Sequence, residues 1–401
     1  MKLAIVTAYP PSKVTLNEYA YHLVKSFRTN EEVEEVVILT DVDVSKEFIE
    51  FGDQGCRVKT VKCWEFNSMY NTPRVLKAIR QESPDAVLYN LQFLKFGDKK
   101  IPAALGLTLP YLTRKMGIPT IALMHNILEQ VDLEKAGIQG SKFMHKMYNA
   151  FGTLLTKVLL KADRFAVTIN KYVETLEEKY KAENVVLMPH GSFEVPAEPS
   201  YELQEGPKKI MAFGKFGTYK KVESLIEAVQ QIRIKSDHDI ELVIAGTNNP
   251  NAPGYLEDVF QKYKHVPQLR FTGYVEEEDV PVLFKESAIV VFPYTSTTGS
   301  SGVLHQAGSY GKACAMPDLG DLALLTQEEG YEAQFFEPDD SVSMGNALLA
   351  LLDDDAYRQQ VAKANYTAAT QYPMERIAQM YIDEFKQIMM DKYSEKYNLS
   401  V

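Results

Sequence analysis

Cysteine is scarce in this chain of 401 residues: Cys56, Cys63 and Cys314 are the only three. Their number is odd and none forms a C-x-x-C. That argues against a disulfide framework and reads as buried or incidental thiols in a reducing compartment. Positive charge is also short. Lys and Arg number 43 against 54 Asp and Glu, for a net charge of −11, so the chain lacks the basic footprint of a general nucleic-acid binder. Long apolar runs are missing. None approaches the ~18 residues needed to span a bilayer. The first run, Leu3 to Val6, reads as a β-strand too short for the core of a signal peptide. A cytoplasmic location is expected.

What is present is ordinary globular material, with 45% hydrophobic and 24% charged residues. The length suggests two domains of about 150–200 residues, each with its own core. Short, nearly all-apolar runs alternate with helical patterns. The runs in the first half are 3–7, 36–40, 86–89, 120–124, 165–169 and 185–188. Those in the second half are 210–213, 242–245, 288–292, 313–316 and 333–336. Such runs suit parallel strands covered on both faces, joined by right-handed crossovers. One helical stripe runs from Tyr219 to Ile232, and a last helix is expected from Met374 to about Lys392. The Pro- and Glu-rich stretch from Ser192 to Lys209 has little periodicity and reads as a linker. The expected division is 1–195, with 374–401 packing back on it, and 205–372.

Ligands of open parallel sheets bind outside the carboxyl ends of the strands. After the run 210–213 comes Gly214-Lys215-Phe216-Gly217, then Lys220-Lys221 at an expected helix start. Glycines admit close backbone approach, a helix start offers N–H groups, and the lysines add charge. Together they suit a diphosphate; the competing reading is a plain strand–turn–helix with solvated lysines. After the run 288–292 comes Pro293-Tyr294, then TSTTGSSG and another helix. Amides of Ser301, Gly302 and Val303 suit phosphate oxygens or sugar hydroxyls. The alternative is a loop in which Ser301 merely caps the helix.

In order, Gly214 to Lys221, Val243-Ile244-Ala245-Gly246, Phe271-Thr272-Gly273-Tyr274-Val275 and Gln306-Ala307-Gly308-Ser309-Tyr310-Gly311-Lys312-Ala313 follow one another over about a hundred residues. This succession resembles retaining glycosyltransferases of family 4. The first half is similar more loosely, in MKLAIVTAYPPS, in IALMHNI and in VVLMPHGSF. The resemblance implies a GT-B fold, two Rossmann-like domains facing across a cleft, and transfer of a sugar from a nucleotide-sugar donor to a hydroxyl acceptor with retention of configuration. It puts Tyr274 and Val275 near the base, His125 at the donor sugar, and His190 and Gly191 at the interdomain cleft. A satisfied structural histidine remains the rival reading for His125 and His190. Lys215 and Lys220 would stabilise the departing diphosphate, so neither a cofactor nor a metal is expected.

One departure bears on activity. The family's two glutamates fall at Thr298 and Gln306, and no Asp or Glu occurs from Ser287 to Pro317. In an active enzyme Gln306 would contact the ribose, with Thr298 and the Ser300–Gly302 segment around the sugar. A catalytically impaired GT-B protein that binds a sugar, a nucleotide or a partner subunit is the alternative. From Lys95 to Lys161, ten basic residues stand against four acids. The segment FMHKMYNAFGTLLTKVLLKADR mixes lysines with apolar and aromatic residues at helical spacing. It fits either peripheral contact with an anionic membrane or a core helix with snorkelling lysines. A carbohydrate or lipid-linked acceptor is expected, the latter placing the protein at the inner face of the membrane.

Overall fold

The computed structural model describes residues 1–12, 14–42, 54–127, 142–203, 205–296 and 299–397. The chain divides into two compact units, Met1–Phe193 with Met374–Val401, and Glu194–Pro373.

The first unit runs β1 (Lys2–Val6), α1 (Asn17–Arg28), β2 (Glu35–Thr40), β3 (Arg57–Lys62), α2 (Asn71–Glu82), β4 (Ala86–Leu91), α3 (Lys100–Leu107), α4 (Leu109–Lys115), β5 (Thr120–Met124), α5 (Lys142–Leu159), β6 (Arg164–Val167), α6 (Asn170–Tyr180) and β7 (Val185–Leu187). Its sheet has the order β3-β2-β1-β4-β5-β6-β7, parallel throughout. The second unit runs β8 (Lys208–Phe216), α7 (Glu223–Lys235), β9 (Ile240–Asn248), α8 (Tyr255–Tyr263), β10 (Leu269–Gly273), α9 (Val280–Glu286), β11 (Ser287–Val291), α10 (Gly302–Ser309), β12 (Ala313–Pro317), α11 (Gly320–Glu329), β13 (Gln334–Phe336), α12 (Ser341–Asp353) and α13 (Asp355–Gln371). Its sheet is also parallel, ordered β10-β9-β8-β11-β12-β13. In each sheet the strand order reverses beside the first strand of the unit, which is where such sheets open to ligands. The final helix, α14 (Met374–Tyr397), packs on α1 of the first unit. Tyr381 lies against Phe27 there, and Arg164 donates to Glu384 at 2.9 Å.

The inner strands are apolar because helices cover both their faces. β4 and β5 are buried along their whole length. Two strands are absent from the apolar runs of the sequence, and both are sheet edges. β3 reads RVKTVK and is half-exposed; Lys59 pairs with Glu82 at 2.7 Å. β10 reads LRFTG, and Arg270 pairs with Glu241 at 2.9 Å. An edge strand has neighbours on one side only, so it tolerates charges that an inner strand excludes. The helix expected from Tyr219 begins only at Glu223. Tyr219 and Lys220 instead belong to an extended turn tied to the exit of β11. The expected linker is laid along the second unit. Tyr201 carbonyl accepts from Arg358 at 2.7 Å, Pro196 carbonyl accepts from Tyr366 at 2.7 Å, and Tyr201 and Leu203 pack on that unit's core.

Candidate functional site

The carboxyl end of β8 is built to receive the Lys220 side chain. Gly214 and Gly246 face each other in the register of β8 and β9, with φ of 132° and 135°. A Cβ on Gly246 would fall 1.9 Å from the Gly214 carbonyl oxygen, and a Cβ on Gly214 would fall 2.7 Å from Lys220 Nζ. A side chain at Gly214 would take the space the ammonium occupies, and one at Gly246 would collide with the Gly214 backbone. The turn that carries Lys220 is sewn to the neighbouring strand. Lys220 and Tyr294 form an antiparallel bridge. Lys221 N–H donates to the Pro293 carbonyl at 3.0 Å, and Thr295 N–H donates to the Tyr219 carbonyl at 2.8 Å. The structure thus joins two segments about 75 residues apart in sequence into one platform.

Lys220 is 9% exposed. Its ammonium lies 4.7 Å from the centre of the Tyr294 ring and 5.9 Å from that of Tyr219. Burial pushes its pKa below the ordinary lysine value, opposed by Tyr219. Among the described residues no carboxylate pairs with it. A buried cation without a counter-charge is costly, and an anionic ligand would relieve that cost. Lys215 on β8 is exposed.

The loop after β11 enters α10 through Ser301, which stands at the N-cap position without a side-chain cap bond. Capping is therefore not what Ser301 does here. Ser301 is buried; Gly302, Val303 and Gln306 are half-buried. Thr298 lies outside the described residues. No side chain among the described residues hydrogen-bonds the Gln306 amide. Tyr274 and Val275 follow the edge strand β10, with Tyr274 73% exposed. The ends of β9 and β10 are linked there, Gly246 N–H donating to Thr272 Oγ1 at 3.1 Å.

Two carboxylates reach this region from beyond the stretch that lacks acids in sequence. Asp321, in the first turn of α11, is buried and accepts the Gly299 N–H at 2.6 Å. Glu329, at the end of α11, lies 3.7 Å from His305 Nδ1. His305 on α10 is 2% exposed. Its Nε2 lies 2.8 Å from Ser300 Oγ and its Nδ1 lies 2.8 Å from the Tyr331 hydroxyl. Sequence reasoning passed over His305, Asp321, Glu329 and Tyr331, because a lone histidine on an apolar helix looks like core and the others lie outside the loop.

His125, His190 and Gly191 belong to the first unit. His125 follows β5 directly; its Nε2 is 2.8 Å from Asn90 Oδ1, and Asn90 Nδ2 donates to Thr7 Oγ1 at 3.0 Å. The His125 ring packs edge-on to Tyr19 at 4.6 Å. Burial, then the neighbouring His190 and Lys95, hold its pKa well below the usual value, so it is neutral at pH 7. His190 Nδ1 is 3.0 Å from the Gly191 carbonyl, and burial lowers its pKa to about 4. Of the basic stretch, Lys95 is fully buried and donates to the Thr15 carbonyl at 2.9 Å. Arg114 pairs with Asp163 at 3.0 Å. Lys161 lies over the Tyr111 ring at 5.1 Å. Lys157 and Leu154 on α5 are exposed; Lys135 lies outside the described residues. No described helix is long and apolar enough to cross a membrane.

Residues 207–354 match the model of a family described as glycosyl transferases group 1. Over 203 residues the chain is 22% identical to the O-antigen chain mannosyltransferase B of Escherichia coli. That stretch is 48% of this chain and 51% of the relative, so the chain spans about half the length of the curated relative it matches. Among solved structures, the sucrose-phosphate synthase of Thermosynechococcus elongatus superposes with a TM-score of 0.70 at 15% identity, covering 98% of this chain and 100% of that one. The Anabaena protein HepE in complex with UDP superposes with a TM-score of 0.68 at 14% identity, covering 96% and 99%. At such identities the likeness is one of fold, and that fold is GT-B with two Rossmann-like domains.

Proposed function

We propose, for a chain of group 1 glycosyltransferase type in the GT-B fold, that it transfers a sugar from a nucleotide-diphosphate sugar to a hydroxyl of a carbohydrate or lipid-linked acceptor, with retention of configuration. The observation that carries the reading is Lys220. Its ammonium is buried at the carboxyl end of β8, seated on Gly214, with no carboxylate paired to it among the described residues. A diphosphate supplies the missing charge, and Lys215 on the same strand adds a second cation. As the bond to the leaving diphosphate breaks, negative charge grows on its oxygens. Fixed cations stabilise that state more than the ground state and accelerate the step. The amides of Ser301, Gly302 and Val303 at the start of α10 add donors to the same ligand, and Tyr274-Val275 lies toward the base. Lysines do this work without a metal. His125 is the residue of the first unit assigned to the donor sugar; being neutral, it acts there as a hydrogen-bonding group. The likeness to an O-antigen chain mannosyltransferase of E. coli favours cell-surface glycan synthesis as the setting. A lipid-linked acceptor would bring the protein to the inner face of an anionic membrane, with the exposed Lys157 of α5 in the contact; Lys142 and Lys146, expected beside it, have side chains outside the described ones.

Titration calorimetry with UDP, GDP and ADP, followed by donor hydrolysis and transfer assays, tests this reading. One diphosphate should bind, and its sugar form should turn over. The second reading, a binding or partner subunit without catalysis, draws on Thr298 and Gln306 in place of two glutamates. It expects tight nucleotide-sugar binding with no turnover by the parent, and none gained by Thr298→Glu with Gln306→Glu. Transfer that is lost in His125→Ala would eliminate it.

A further inference from the structure

The loop between β11 and α10 is clamped from two sides. Asp321 takes the Gly299 N–H at 2.6 Å from the start of α11. One residue later, Ser300 Oγ sits 2.8 Å from His305 Nε2. The imidazole is itself held. The Tyr331 hydroxyl lies 2.8 Å from its Nδ1 and Glu329 Oε2 lies 3.7 Å from the same nitrogen. His305 is 2% exposed and Glu329 is 8% exposed, whereas Ser300, at the outer end of the chain of contacts, is half-buried.

A neutral imidazole has one N–H and one lone pair. With the proton on Nδ1, the Tyr331 hydroxyl oxygen accepts it at 2.8 Å. Nε2 then accepts from the Ser300 hydroxyl, and the Ser300 oxygen is left with its lone pairs turned away from His305. This gives a loop without a carboxylate an oriented acceptor.

We infer that the Ser300 side-chain oxygen accepts a hydrogen bond from a hydroxyl of the donor's sugar, and that His305, braced by Tyr331 and Glu329, is a positioning residue that acts through Ser300. The inference rests on the reading that this loop holds a nucleotide sugar. It adds the group that recognises the sugar, as distinct from the lysines that recognise the diphosphate.

The test uses the full chain and titration calorimetry with UDP, GDP and ADP and with UDP-glucose, GDP-mannose and ADP-glucose. Ser300→Ala should weaken the nucleotide sugar by about 5- to 15-fold, the fold-change of one uncharged hydrogen bond, and leave the bare diphosphate nearly unchanged. His305→Phe should show the same selective loss. The double variant should be no weaker than either single one, because both act on one contact. His305→Gln, whose amide can reach the Nε2 position, should recover part of the affinity. Tyr331→Phe should show a smaller loss of the same kind, and it carries the His305 arm if His305→Phe does not fold. Losses that add, losses equal for diphosphate and nucleotide sugar, or an unchanged Ser300→Ala would overturn the inference. If the parent binds a diphosphate in a Lys220-dependent way but its sugar affinity ignores Ser300, only this inference fails. If the parent binds none of the six probes, the donor reading fails with it.

Discussion

The carboxyl ends of the two sheets make an instructive pair. In the first unit several of the buried polar groups there answer one another, although Tyr9, Asn126 and Thr168 each keep an unpartnered oxygen. His125 meets Asn90, Asn90 meets Thr7, and the fully buried Lys95 meets the Thr15 carbonyl. In the second unit the Lys220 ammonium lies by the Tyr294 and Tyr219 rings and Gly214, and neither it nor the Gln306 amide has a side-chain partner among the described residues. Both ends place a lysine in a low-dielectric setting, but among the described residues only the first gives it an oxygen to bind. A site completed by the protein's own groups is finished on folding; one left short of a counter-charge is finished by its ligand. In our proposal this difference assigns the diphosphate to the second unit.

The largest expected effect is on stability, and it has opposite signs in the two units. Burial lowers Lys95 to about 7, below the pKa it has in the unfolded chain. Between those values the unfolded state binds more protons, so this residue's contribution improves as pH rises from about 7 toward 10. Burial raises Glu329 to about 8, above its unfolded value near 4.5. There the native state holds more protons, and stability falls as pH climbs through that window. Each effect is on the order of 5 kcal/mol at full extent. Denaturant midpoints across pH should lose the first slope in Lys95→Met and the second in Glu329→Gln. If neither slope changes, the burial of these charges does not govern stability.

Next in size is the nucleotide. Lys220→Ala or Lys215→Ala should weaken the diphosphate by about 1–3 kcal/mol each and leave the bare nucleoside nearly unaffected. Lys95→Met, the matching change in the first unit, should not alter this affinity. Equal binding of the diphosphate by both second-unit variants and the parent would erase the contrast between the two ends.

A smaller effect separates the two units kinetically. Gln306→Ala should raise the donor's KM with kcat less changed, because a ribose contact is similar in ground and transition states. The loss should be about 1 kcal/mol. His125→Ala should instead lower kcat. The reverse pattern would exchange their roles. Smallest is the membrane effect. Sedimentation with anionic liposomes should be released by salt and lost on charge reversal at Lys142, Lys146 and Lys157. Equal recovery from neutral liposomes would leave α5 as a core helix only.

The sequence by itself determined the layered parallel architecture and the glycine-bearing ends of its strands, because inner strands must be apolar on both faces and tight turns at their ends favour glycine. It concealed β3 and β10, since edge strands carry the charges that inner strands refuse. Only the tertiary structure decided that Lys220 leaves the helix and bridges to Tyr294. Only it brought Asp321 and Glu329 back to a loop whose own stretch, Ser287 to Pro317, holds no acid. Periodicity reports which face of a segment is buried. Which side chains meet at the ends of strands depends on crossovers that return the chain to the same sheet edge from α11, and local sequence carries no record of that distance.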